Sequence, residues 1–320
     1  MQKGISIQNM DKFDELYQAA RKSIQVGDYD GATILLKQSL AAQENVGAYH
    51  DLGVILCLKG QKNDAVSYFQ EALKIDTKHH SSFANLARIL FESGNLQGAA
   101  SCIAQAFEIR PDILAYQQDF DEIFKKIGFF FFDSSVKALL TKRLENAITD
   151  CRGLSIPWLS LMKVDPDFDS YIRMFGIAKY CVFKSEFDKL LHHKPLCDSY
   201  IICGLQNLLV ADFEFEGFLT HLRHVFLDWV FEEKESSRKD VVVPLLCALA
   251  EYVYGTEYIF SVLDEEEGAV NKLKNLVESY SSEEEINLFN VSVLACYVSL
   301  GKLSNAGILA RLVDNEQFTR

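Results

Sequence analysis

The chain has 320 residues, 49% of them hydrophobic, and a formal net charge of −13 at neutral pH. That acidity excludes a nucleic-acid binder, because neutralising phosphates needs a basic face, while the length allows the cores of two domains. No apolar run approaches the roughly 18 residues that cross a bilayer: residues 128–132 are too few, and residues 200–210 are broken by Gln206 and Asn207.

The N-terminus, Met1-Gln-Lys-Gly4, lacks the apolar stretch of a signal peptide. Eight cysteines are scattered without a Cys-x-x-Cys pair, so zinc and redox motifs are unsupported and reduced thiols are expected. A cytoplasmic protein without membrane attachment is the expectation.

In chain order, the first signal is a recurrence of small residues. Gly27, Gly60, Gly94 and Gly128 follow one another at steps of 33, 34 and 34 residues. Ala32, Ala65 and Ala99 come five places after the first three glycines, then Leu36, Phe69 and Ile103, then Ser39, Ala72 and Ala106. A period of this length predicts stacked helix–turn–helix units. Two antiparallel helices approach closely only where one side chain is small and a large neighbour fills the gap, and glycine supplies the turn.

Three units are predicted, at residues 13–45, 46–79 and 80–113. The second carries Tyr49, Leu52, Gly53, Leu56, Gly60, Ala65, Phe69 and Ala72; the third carries Phe83, Leu86, Ala87, Leu90, Gly94, Ala99, Ile103, Ala106 and Pro111. The first is weaker, with Leu16, Ala19, Ala20, Gly27, Tyr29, Ala32, Leu36 and Ser39. In this order the residues resemble tetratricopeptide repeats across residues 13–112.

The resemblance implies a solenoid whose first helices line an inner groove for a protein or peptide partner. The inward positions would be Tyr17, Arg21 and Ile24, then His50, Asp51, Val54 and Cys57, then Asn85, Arg88 and Phe91. Arginines there could pair with a partner's carboxylate while aromatic rings anchor it. Asp51 stands where the family's carboxylate clamp has asparagine, and of an asparagine ladder only Asn85 is present. The alternative is a groove filled by the chain's own capping helix or second domain.

Residues 112–127 predict one more first helix, with Phe120, Ile123, Phe124 and Ile127 on one face and Gly128 in register. Asp133 then replaces the crossing alanine and reads as the N-cap of a helix running to about residue 149. Residues 114–150 are therefore expected to form a degenerate unit closing the repeats. The first domain would span residues 1–150 and the second residues 151–320.

Pro157, Pro166 and Pro195 punctuate the start of the second domain, with a turn at Asp165-Pro-Asp167. Helical periods return over residues 215–231 and 242–254, and Ser282-Glu-Glu-Glu285 predicts a capping box opening a helix through about residue 299. The valines of residues 240–244 could make a short strand, but nothing pairs with them, so the fold class expected is all-α throughout. Acidity concentrates here: residues 1–114 hold 11 Lys/Arg against 13 Asp/Glu, leaving 21 against 32 in the remainder. Solvated helix surface accounts for it.

Glu216-Gly-Phe-Leu-Thr220 with Leu222, Arg223 and Leu227, Leu246-Cys-Ala-Leu-Ala250, Glu257-Tyr-Ile-Phe260 with Glu265-Glu-Glu267, and Leu294-Ala-Cys-Tyr297 with Leu300 form a second set. Over residues 200–312 it resembles the helical segment between tetratricopeptide repeats and the catalytic domain of certain bacterial S-adenosylmethionine-dependent methyltransferases, and with the repeats the resemblance to their non-catalytic region spans residues 13–312. Ser299 departs from it, where proline is expected. The resemblance implies a substrate-recruiting or regulatory role in a methyltransferase system, with a methyltransferase domain as possible partner.

No cofactor site is expected within the chain. A nucleotide-binding turn needs closely spaced glycines after a strand, and the nearest glycines beyond residue 150 are Gly301 and Gly307. The sequence reaches Arg320 before any such fold begins. His221 and His224 sit three apart but lack a third ligand, and the pairs His79-His80 and His192-His193 read as turn or surface residues. Glu265-Glu-Glu267 and Glu283-Glu-Glu285 fit helix starts. The expectation is a non-enzymatic binding module without metal or cofactor; the alternatives are a methyltransferase relative whose catalytic domain is not in this chain, and a self-assembling scaffold.

Overall fold

Gly27, Gly60 and Gly94 adopt left-handed backbone angles, φ 80°, 77° and 83°, where a side chain would be strained. In the computed structural model each closes a helix by the same pair of bonds. Its own N–H reaches back three residues, to the carbonyls of Ile24, Cys57 and Phe91, and the following N–H reaches back five, to Ser23, Leu56 and Leu90. The next residue opens the second helix, and Asp28 and Asn95 cap it by accepting from the N–H groups of Gly31 and Gly98. The structure describes residues 7–175, 180, 182–184, 187, 197–232, 236–257, 262 and 264–313; His192, His193, Pro195 and Tyr258 to Phe260 lie outside them.

Three hairpins result: α1 (Ile7–Gln25) with α2 (Tyr29–Ala42), α3 (Val46–Leu58) with α4 (Lys62–Ile75), and α5 (His80–Glu92) with α6 (Leu96–Ile109). Ala32, Ala65, Ala99, Leu36, Phe69 and Ile103 are all fully buried, as the periodic pattern requires. The α3–α4 crossing is so close that a Cβ on Gly53 would stand 2.7 Å from the Phe69 ring. Pro111 follows the end of α6, and α7 (Leu114–Phe124) meets α6 through the tilted rings of Phe107 and Phe120, with Phe124 stacked on Phe120 within α7.

The chain divides into two compact units at Ile127/Gly128, ahead of the 150/151 boundary expected from the sequence. Gly128 lacks the positive φ of its three predecessors, so the turn is not repeated a fourth time. Asp133 does cap a helix, α8 (Ser134–Glu145), through the N–H groups of Ser135 and Val136, but this helix ends short of residue 149. It packs in the second unit against α11 (Ser199–Asn207). Lys137 of α8 reaches Asp165 at 2.9 Å and Asp198 at 2.7 Å.

Among the described residues every regular element of the second unit is helical. Trp158 of α9 (Ser155–Met162) donates to the Tyr200 carbonyl at 3.0 Å, and the Tyr200 hydroxyl donates back to the Trp158 carbonyl at 2.7 Å. After α10 (Asp169–Phe175) and α11 come α12 (Phe213–Phe231), α13 (Ser236–Gly255), α14 (Asp264–Glu278), α15 (Leu288–Ala295) and α16 (Ala306–Val313). The valines of residues 240–244 lie inside α13 with exposed Pro244, where water can take the carbonyl that proline leaves unpaired.

The helix expected from Ser282 begins instead at Leu288, capped by Asn287. Glu285 turns back to accept from the N–H and hydroxyl of Ser281, closing a short loop. Ser282 precedes only a single 3-10 turn, Glu283–Glu285, and its side chain makes no cap bond there.

Candidate partner-binding groove

The ten expected groove residues lie on α1, α3 and α5, and the structure ties the three helices together through them. The Tyr17 hydroxyl donates to Asp51 Oδ2 at 3.1 Å. His50 Nδ1 stands 3.3 Å from Asp51 Oδ1, and Asn85 Nδ2 stands 3.2 Å from His50 Nε2. With Nδ1 carrying the proton, both contacts are satisfied. Burial and the neighbouring Asp51 carboxylate push the Tyr17 phenol up to about 12, so it remains a donor.

The other positions divide by chemistry. Ile24 packs against the apolar cluster of the first hairpin, Val54 and Cys57 against the second, and burial pushes the Cys57 thiol upward. Arg21 is exposed, near enough to Tyr17 for its charge to act on the phenol. Arg88 Nε donates to Asp119 of α7 at 2.8 Å. Phe91 carries the Lys126 ammonium 4.6 Å from its ring centroid.

Residues outside the expected set complete this face. His79 and His80 are half-buried rather than surface residues, and their rings continue a run from His50. His50 and His79 centroids are 5.0 Å apart, His79 and His80 6.2 Å, and His80 and Tyr116 5.7 Å, with His80 Nδ1 2.8 Å from the Tyr116 hydroxyl. Burial lowers the pKa of both His79 and His80. Asp119 lies one 34-residue step beyond Asn85, as Asn85 lies beyond Asp51 and Asp51 beyond Tyr17. Carrying the register one helix further would have found it.

The polar ties lie near the middle of the first helices, at Tyr17, His50, Asp51 and Asn85, and Ile24, Val54, Cys57 and Phe91 follow toward their C-terminal ends. Among the described residues no group of His, Cys, Asp and Glu has the arrangement of a metal site, and no helix is long and apolar enough to cross a membrane.

Residues 46–78 and residues 80–113 each match the tetratricopeptide repeat. Among solved structures the chain is similar to that from the functional characterization of Pseudomonas aeruginosa pilF. The identity is 13% and the TM-score 0.34, with 85% of this chain and 95% of that one covered, too slight a likeness to transfer a function. No curated protein matches the sequence. The matched residues are those of the second and third helical hairpins, α3–α4 and α5–α6.

Proposed function

We propose that the chain is a non-catalytic recognition module whose first-helix face binds a peptide segment of a protein partner. The observation that carries this reading is the row Tyr17, Asp51, Asn85 and Asp119. It places polar side chains at one step on four successive first helices, with Tyr17 bonded to Asp51 and Asn85 tied to the adjoining His50. Cross-ties of this kind preorganise a surface, so less conformational entropy is lost when a ligand lies along it. Tetratricopeptide repeats generally mediate protein–protein interaction, which supports the same reading. The cytoplasm is the setting this function would have.

A place in a methyltransferase system rests on the resemblance of residues 200–312 alone, and neither the groove nor the helices of the second unit add to it. A randomised short-peptide library panned on the full chain tests the binding reading. Selected peptides should lose affinity on Val54→Arg and on Arg21→Glu, with helicity retained. Lys74→Glu, on the exposed side of α4, should leave affinity unchanged. Peptides that bind the groove variants as well as the parent would overturn the assignment.

A further inference from the structure

Between α5 and α7 lies a cavity of about 330 Å³, lined by Arg88, Phe91, Glu92, Asp119, Glu122 and Ile123. Its apolar surface is Phe91 and the buried Ile123. Around that floor stand three carboxylates and one guanidinium. Arg88 does not fully offset the desolvation of Asp119, whose carboxyl is raised above its ordinary range by burial. Glu92 and Glu122 are paired with Lys62 and Lys125 at solvent-exposed positions, and such pairs are worth little and exchange readily. One further observation is independent of the carboxylates. The chain's own Lys126 places an ammonium over Phe91, so the ring already serves as a cation-accepting face.

We propose that this cavity is the receptor for a basic side chain of the bound peptide, arginine in preference to lysine. The aliphatic stem would lie on Phe91 and Ile123 while the head reaches Asp119 and Glu122, the amphipathic placement that long cationic side chains favour. A planar guanidinium can stack on a ring and form a forked bond to a carboxylate at once, which an ammonium cannot. The proposal rests on the reading of the first-helix face as a peptide groove. It reverses the role expected for Arg88, which holds Asp119 in place instead of capturing a partner's acid.

The test uses peptides selected from the randomised library on the full chain, resynthesised and measured by fluorescence anisotropy. Groove-bound peptides, those lost on Val54→Arg, should share an arginine or lysine. Replacing that arginine with citrulline, which keeps the shape and removes the charge, should weaken binding about tenfold or more, the scale of one charge-assisted bond. Asp119→Asn with Glu122→Gln should weaken the arginine peptide similarly and leave the citrulline peptide nearly unchanged. Groove-bound peptides with no basic residue, with an acidic residue that depends on Arg88, or with equal affinity after the citrulline exchange would overturn this proposal while the groove assignment stands. A library that yields no binder, or binders indifferent to Val54→Arg, would overturn both.

Discussion

Tyr17 and Asp51 are 34 residues apart in the chain and 3.1 Å apart in space, so the repeat period closes a hydrogen bond between the first helices of adjacent hairpins. Because the bond is half-buried and its acceptor is charged, its loss should be measurable. Tyr17→Phe removes the donor and leaves the packing of the ring on Phe13, 5.6 Å away, in place. The expected cost is roughly 0.5–1.5 kcal/mol, read as a lower urea midpoint. A midpoint equal to the parent's would mean that water replaces the bond without loss.

Gly53 and Gly94 are both needed, for opposite reasons, and substitution separates them. A Cβ at Gly53 would stand 2.7 Å from the ring of fully buried Phe69, so Gly53→Ala overpacks the α3–α4 crossing. Ala65→Leu does the same from the facing helix, and each should cost roughly 1–3 kcal/mol. A Cβ at Gly94 would meet nothing within 4 Å, but φ is 83°, so Gly94→Ala strains the backbone by roughly 1–2 kcal/mol. Shortening the ring with Phe69→Leu should recover part of the Gly53→Ala loss and none of the Gly94→Ala loss. Equal rescue of both would show that the crossing is not set by that contact.

The repeats were legible because their signal is geometric. A glycine in a left-handed turn, an alanine at a crossing and a large residue beside it recur at a fixed step, and each type has one physical use there. The groove was legible only as positions. Which side chains would already be engaged depends on α7, and Asp119 and Lys126 fall where the glycine and alanine markers stop, so the commitment of Arg88 to Asp119 could not be read from α5. In the second unit, capping residues misled by a few places: Ser282 and Glu285 have the box residue types, but Glu285 bonds to Ser281 and Asn287 caps the helix. Side-chain bonding one residue out of register leaves no trace in composition. The divide at Ile127/Gly128 is hard to read for a similar reason, since Gly128 keeps the spacing while its backbone abandons the turn.

The histidine run predicts how the first unit responds to acid. Burial is the leading cause that lowers both His79 and His80; His50 and His80 add to it for His79, and Arg110 and His50 for His80. Asp76 and Asp51 act in the opposite sense on His79, as do Asp112 and Asp76 on His80. Since the folded values lie below the unfolded value of about 6.5, the unfolded chain binds protons that the folded chain refuses. The contribution is therefore whole above about pH 6.5. It declines as the pH falls below that, and levels off once the folded values are passed. His79→Asn, which places a residue favoured at N-caps where the His79 side chain makes no cap bond, combined with His80→Gln should flatten the fall in melting temperature between about pH 7 and about pH 5. A variant that loses melting temperature as steeply as the parent would place the acid sensitivity elsewhere.

Glu266 supplies the sharpest test in the second unit, because its carboxylate is fully buried near the start of α14. The Tyr297 hydroxyl donates to it at 2.8 Å, Arg223 of α12 stands 3.7 Å away, and His224 Nδ1 stands 3.9 Å away. The Arg223 guanidinium also lies 4.3 Å from the Tyr297 ring centroid, so one cation and one anion share a phenol. Burial and the adjoining carboxylate push the Tyr297 phenol well upward, which keeps it a donor at any physiological pH. Removing a single charge unbalances a cluster held away from water, and Glu266→Gln should cost about 3–5 kcal/mol. The paired change Arg223→Met with Glu266→Leu removes both charges and should cost less than the sum of the single changes. If urea unfolding shows the double variant losing the full sum, the two side chains act independently and are not coupled as a pair between α12 and α14.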